Sequence, residues 1–404
     1  MQNIAAAAGL RRARVPAMTV HATAVRPLWA IGFRPFYLCA GAFAAAAMAL
    51  WTAQYAGWIR GVHYLSNPYW HAHEMIFGYA LAVISGFLFT AVRNWTGLAT
   101  PSGTPLVAIV LLWLTGRVLL ATPWPLLSAG ADLLFVIAVA AGIGVPLQRS
   151  GNRNRFFVPL LLLLGGANLA FHLAMRGELA VGVRDMLQLA LNVVAFIMAL
   201  MAGRVIPMFT ANGVPGTQPQ RRAGIERTAL VSLMLLLVTD LSHAPPWADF
   251  AIAAVATVAH AWRLALWQPW RTRRTPIVWV LHAAYAWIVV YLALRTLGTA
   301  GLVPPAIAIH ALTVGALGGL TLGMMTRTAR GHSGRPLRAD PPEVACYVLI
   351  NLAAVARVLV PALLPELERG AIIASGLLWT AAYVAFVAKF LPILTAARAD
   401  GRPG

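Results

Sequence analysis

Acidic side chains are scarce in this chain: 12 Asp and Glu stand against 31 Lys and Arg among 404 residues, and charged residues of both signs make up only 11%. A soluble globular domain carries about 25% charged residues and about 45–50% apolar ones. A chain that is 60% hydrophobic with so little charge is excluded from that class. Lysine is nearly missing too, Lys389 being the only one, and the other basic residues are Arg scattered between apolar runs. That scatter excludes a concentrated basic face for nucleic acid, so the formal charge of +19 matters through its placement rather than its sum. Cysteine is limited to Cys39 and Cys346, each inside an apolar stretch and neither in a CxxC or CxxCH pattern. A disulfide framework and a covalently attached haem are both excluded. The first 26 residues carry Arg11, Arg12, Arg14 and Arg26 but no compact apolar core with a small-residue cleavage site, which predicts a cytosolic tail rather than a cleaved signal peptide.

What the chain has in abundance is apolar runs bounded by Pro, Gly and Arg. They predict helices near 28–52, 68–92, 105–122, 125–147, 156–175, 184–209, 226–243, 247–268, 276–298, 304–327, 342–361 and 371–396. At about 20 residues per crossing this is an all-α polytopic membrane protein with about twelve transmembrane helices. One membrane domain spans 28–396, between tails at 1–27 and 397–404. When the connections are sorted alternately to two sides, twenty basic residues fall on one side and five on the other. Arg34, Arg117, Arg204, Arg263, Arg357 and Lys389 remain within or at the ends of spans. Short cytoplasmic loops are enriched in Lys and Arg, which predicts both termini in the cytoplasm.

Spans 2, 6 and 10 each end with an Arg followed by small or polar residues, at Arg93, Arg204 and Arg327, 111 and 123 residues apart. One reading is three pseudo-repeated four-helix units, the plan of the haem–copper oxidase catalytic subunit. The other is ordinary positive-inside bias.

Ionisable groups at membrane depth are costly and mark candidate sites. His71, His73, His172 and His310 are expected within about two turns of the periplasmic surface, on spans 2, 5 and 10. His282 and His260 fall nearer the cytoplasmic side, His332 in the loop after span 10, and His21, His63 and His243 in tail or loops. The densest point is Asn67-Pro68-Tyr69-Trp70-His71-Ala72-His73-Glu74. Asn67 suits an N-cap and Pro68 the first helical position, which starts span 2 here. At about 100° per residue His71 and His73 point to nearly opposite sides, while His71 and Glu74 share a face. The two histidines are thus expected in different roles, one as a haem or copper ligand and the other with Glu74 in a proton-handling or ligand-orienting pair. An interfacial belt of Trp, Tyr and His is the plainer alternative.

On span 10, Gly315, Gly319 and Gly323 lie four apart and admit a neighbouring helix or a flat macrocycle, and close packing alone accounts for them. His310 needs a polar partner or a metal at its depth. Neutral imidazole is a usual axial ligand of haem iron, and two spans each offering a His at one depth would clamp a haem. For His172, four residues after Asn168, and for His282, three before Tyr285, an interhelical hydrogen bond and metal ligation both remain open, and His260 reads as structural.

With these blocks in order, the chain resembles the NnrS family of twelve-span bacterial proteins, from residue 28 to about 395. The resemblance rests on Gly32-Phe33-Arg34-Pro35-Phe36, Trp70-His71-Ala72-His73-Glu74-Met75, Phe89 to Gly97, Gly203 to Asn212, His310-Ala311-Leu312-Thr313-Val314-Gly315 and Gly331-His332-Ser333-Gly334-Arg335-Pro336. It implies a multi-pass protein of the bacterial inner membrane, containing haem b and copper and linked to nitric oxide and nitrosative stress. The expected cofactor residues are then His71, His73, His172, His282 and His310. Those toward a metal are His71, His73, His310 and His332, with Glu74, Arg93 and Arg204 as proton-handling or ligand-orienting groups. Arg204 and Arg335, opposite the periplasmic histidines, also suit topology anchors or lipid contacts. The Gly331-His332-Ser333-Gly334 loop suits cytosolic docking or metal access.

Three functions fit. The first is a haem protein handling nitric oxide by sensing, scavenging or reduction. A reductase of the oxidase type needs further histidines on spans 6 and 7, yet span 6 has none and span 7 only His243 at its rim, which leaves enzymatic turnover open. The second is a transporter or metal exporter whose His and Glu line a path. The third is an assembly partner of respiratory complexes, or a homo-oligomer.

Overall fold

The computed structural model describes residues 26–60, 65 and 67–402. The expected tail at 1–25, with Arg11, Arg12 and Arg14, lies outside the described residues, as do His21, His63 and the Asn67 side chain. The described residues are helical with no strand. Ten helices are long and apolar enough to cross a membrane: α1 (Phe33–Ala56), α2 (Pro68–Thr96), α4 (Pro125–Arg149), α5 (Arg153–Met175), α6 (Val183–Gly213), α8 (Pro246–Arg271), α9 (Pro276–Thr299), α10 (Pro305–His332), α11 (Pro341–Leu363) and α12 (Pro365–Thr395). Two more helices stand between them, the shorter apolar α3 (Thr104–Leu120) and α7 (Ala223–Leu241), which carries Glu226, Arg227 and Asp240. Each of the twelve overlaps one apolar run read from the sequence.

The boundaries follow local chemistry. Pro27–Trp29 forms its own 3-10 turn, so α1 begins later than the apolar run, and Gly57 ends it with φ 83°. Gly97, at φ 69°, likewise closes α2 four residues beyond its expected end. Pro207 does not stop α6, which runs on to Gly213. Asp340 and Glu343 form a reciprocal capping box at the start of α11, satisfying two otherwise orphaned backbone donors.

Each helix packs on the next, and α12 closes against α1. Burial inside this ring is uneven. The apolar windows of α2, α6 and α10 are 94%, 72% and 72% buried, against 33–56% for the other candidate spans, so every fourth helix is central. The glycine face of α10 meets α9: a Cβ at Gly315 would strike Trp287, one at Gly319 would lie 2.7 Å from Ala284, and one at Gly323 2.8 Å from Leu281. A helix, not a macrocycle, covers that face.

Two central helices share an irregularity. A π-helical segment occupies Glu74–Ala80 in α2 and Ala311–Gly318 in α10, directly after His73 and His310. Such i→i+5 segments widen the turn and re-aim side chains, and they concentrate at functional sites.

Candidate haem and metal sites

The histidines of α2 serve two separate places. His71 turns toward α10. It lines a cavity of about 360 Å³ with His310, Met75, Tyr79, Leu187, Leu191 and Trp379, and with Arg184 and Arg357. Its ring stacks on Trp51 of α1 at 4.4 Å between centroids, and its Nδ1 is buried without a partner. His310 Nδ1 donates to the carbonyl of Ala306 at 2.6 Å, which fixes the proton on that nitrogen and leaves Nε2 as the lone-pair site. Two turns beyond His71, the Tyr79 hydroxyl meets Thr321 of α10 at 2.5 Å and the hydroxyl of Tyr383 of α12. The cavity is apolar over most of its wall, with polar groups at a few points, and its volume suits a ligand site.

His73 turns the other way, toward α4 and α5, and is fully buried. Its Nδ1 donates to Glu74 Oε1 at 2.9 Å, and its Nε2 lies 2.8 Å from Asn168 Oδ1 and 3.2 Å from His172 Nε2. Asp132 Oδ2 is 3.9 Å from that nitrogen and accepts from Asn168 Nδ2 at 3.0 Å. Arg117 of α3 donates one η nitrogen to Glu74 at 2.5 Å and the other to Asp132. His73, Asp132 and His172 are all buried and offer ligand atoms within 4.8 Å of one another.

This donor set suits a metal on three counts. Two imidazole nitrogens 3.2 Å apart match the edge of about 3.3 Å expected for tetrahedral coordination with bonds of about 2.0–2.1 Å. His73 donates its other nitrogen to a carboxylate, the usual way a ligating imidazole is oriented. Two carboxylates, Glu74 and Asp132, are held by the single guanidinium of Arg117, so the group can accommodate a further cation in so dry a place.

Several sequence expectations need correcting. Glu74 does not share His71's surroundings: its carboxylate is drawn to the other side by His73 Nδ1 and by the guanidinium of Arg117. His282 lies away from both sites, with Nε2 2.8 Å from Thr210 Oγ1 and its ring edge-on to Trp267. His260, by contrast, is a hydrogen-bonded histidine of the packing as expected, bonding Tyr285 at 2.7 Å and the Ala229 carbonyl at 2.9 Å. His332 is the last residue of α10 rather than a loop residue, and its ring packs beside Phe33. Arg93 is exposed at the far end of α2, and Arg204 donates to Asn154 at 2.7 Å. Arg93 is 22 residues along α2 from His71, roughly 33 Å at 1.5 Å per residue, and Arg204 is well over ten residues along α6 from the residues that line the His71 cavity, so neither serves His71 or His73. Missed by the sequence reading were Asp132, Asn168 and Arg117 around His73, and Arg184, Arg357 and Trp51 around His71. An Asp inside the apolar α4 and an Arg inside the shorter apolar α3 were the available signal.

The family model described as NnrS protein matches residues 27–398, nearly the whole chain. The chain belongs to the NnrS family. The comparison with curated proteins finds no match. Membership in the NnrS family and the buried His73, Asp132 and His172 group fit a metal- or haem-binding membrane protein.

Proposed function

We propose that the chain binds haem b in the cavity between α2 and α10 and a copper ion at His73, Asp132 and His172, and acts in the bacterial response to nitric oxide. It does so from the inner membrane, with both termini cytoplasmic. The observation that carries the haem reading is the cavity itself: a histidine from each of two central helices lines it, one with an orphaned buried nitrogen and the other with its tautomer fixed by a carbonyl. His71 and His310 are the residues that would hold the haem iron. Arg184 and Arg357 suit the two propionates, since guanidinium pairs well with carboxylate. Trp51 holds the His71 ring in place, and the aliphatic wall excludes water. When bound, haem supplies an iron that carries one electron and takes a diatomic ligand where a coordination position is open. At the second place Glu74 orients His73, and Arg117 bridges Glu74 and Asp132 and offsets their repulsion.

The visible spectrum of the purified protein tests this reading. A Soret band that is lost in His310→Ala and kept in His282→Ala is the expected result. A colourless protein that moves metal across vesicles would favour a transporter and overturn the haem reading.

A further inference from the structure

The loop after α10 is used by neither site. It lies at the end of the bundle where α1 begins and α12 ends, and it gathers polar side chains with buried, unpaired atoms. Arg34 on the first turn of α1 is only 1% exposed. Its Nη1 donates to the carbonyls of Leu394 at 3.0 Å and Ala396 at 2.6 Å, while its Nε is buried without a partner. Ser333 is fully buried and its hydroxyl has no partner, and Arg335 Nη1 is also buried and unpaired. The chain after α12 folds over this loop: Ala399 N–H donates to the Ser333 carbonyl at 3.0 Å, and Arg398 to the His332 carbonyl at 2.9 Å. The Phe33 ring lies 5.6 Å from that of His332, Arg34 is tied to the Ala396 carbonyl and Arg398 to that of His332, so the start of α1, the loop carrying Ser333 and Arg335 and the chain after α12 meet at one place. Arg398 pairs with Asp400, whose carboxylate lies against Gly334, and Arg330 pairs with Glu343 and Asp340; among the described residues Arg34 and Arg335 have no carboxylate within 4.0 Å.

Buried donors left unpaired cost about 1–3 kcal/mol each, and guanidinium donors more, so a cluster of three calls for an acceptor. Like charges held together call for an anion. The α1 N-terminus, which has no side-chain cap, adds its partial positive charge at the same place. We propose that Arg34, Ser333 and Arg335 form a binding site for a phosphate group, separate from the haem and metal sites and at the opposite end of α10. The phosphate is that of an anionic phospholipid headgroup or of a free phosphate anion; both present the same tetrahedral oxygens to paired guanidinium donors.

Thermal unfolding of the full-length protein separates these. One arm adds inorganic phosphate to detergent-solubilised protein against sodium chloride of equal ionic strength. The other compares nanodiscs of phosphatidylglycerol and of phosphatidylcholine. Stabilisation by inorganic phosphate supports a soluble anion, and stabilisation by phosphatidylglycerol alone supports a headgroup. In either case Arg335→Gln and Ser333→Ala weaken the response about tenfold while leaving any Soret band intact. Arg34→Gln is the sharper variant, and if it does not fold the other two carry the test. No stabilisation by either probe, or an undiminished response in Arg335→Gln and Ser333→Ala, overturns the proposal.

Discussion

Removing Arg117 would leave Glu74 and Asp132 buried with no cation between them, which is the costliest single change near His73. Breaking a buried pair costs about 3–5 kcal/mol, while an exposed pair is worth about 0–1 kcal/mol. Arg117→Met is therefore expected to fall sharply in unfolding temperature or folded yield, and Arg176→Ala, at the exposed Glu178 pair, to remain near wild type. Comparable losses in the two variants would contradict the role given to Arg117. At the outer rim of the bundle, Asp340 bonds Lys389 and Arg330 and caps α11. Burial alone would raise its pKa, but the Lys389 ammonium and Arg330 outweigh that and hold it below the usual 3.8. A carboxylate depressed on folding stabilises the fold above its unfolded pKa and loses that contribution as pH falls below about 4. Asp340→Asn keeps a capping side chain but loses the charge that pairs with Lys389 and Arg330, and should thus lower stability at neutral pH by up to about 1 kcal/mol, the worth of a partly exposed ion pair, and flatten the acid limb of the unfolding profile. An unchanged acid limb would remove Asp340 from that role.

Among the helices, α10 combines two features that a periodic reading treats separately. Its glycines were legible as a close-packing face, and α9 takes that face through Trp287, Ala284 and Leu281. Its π segment was not legible, because an i→i+5 bond leaves no fixed residue signature and is set by what the surrounding helices require. The same holds for α2. The 3.6 period correctly sent His71 and His73 to different sides but misplaced Glu74, the first residue of the π segment. Gly315→Ala is expected to lower stability by about 1–3 kcal/mol through overpacking against Trp287. Gly166→Ala on α5, where a Cβ meets nothing, should raise it by up to about 1 kcal/mol through helix propensity. Equal effects would mean that α9 and α10 are not held by that contact.

At the scale of the molecule, composition and apolar runs made the helical membrane fold legible, since lipid enforces long uncharged helices on any sequence. The partners around each histidine were not legible, because Trp51, Arg117, Asp132, Arg184 and Arg357 come from helices distant in sequence and meet only after packing. Whether α3 crosses the membrane is testable from the loops that follow it. If it crosses, single cysteines replacing Gly151 and Gly177 are expected to label from the cytoplasmic and external sides respectively, in a background lacking Cys39 and Cys346. If it does not cross, the two positions exchange sides.

The central claim is that the α2 histidines belong to two separate sites. Haem and copper content, measured side by side in purified His71→Ala, His310→Ala, His73→Ala and His172→Ala proteins, tests it most directly. Loss of haem with copper retained is expected for His71→Ala and His310→Ala, and loss of copper with haem retained for His73→Ala and His172→Ala. Parallel loss of both in all four, with folded yield preserved, would contradict two sites.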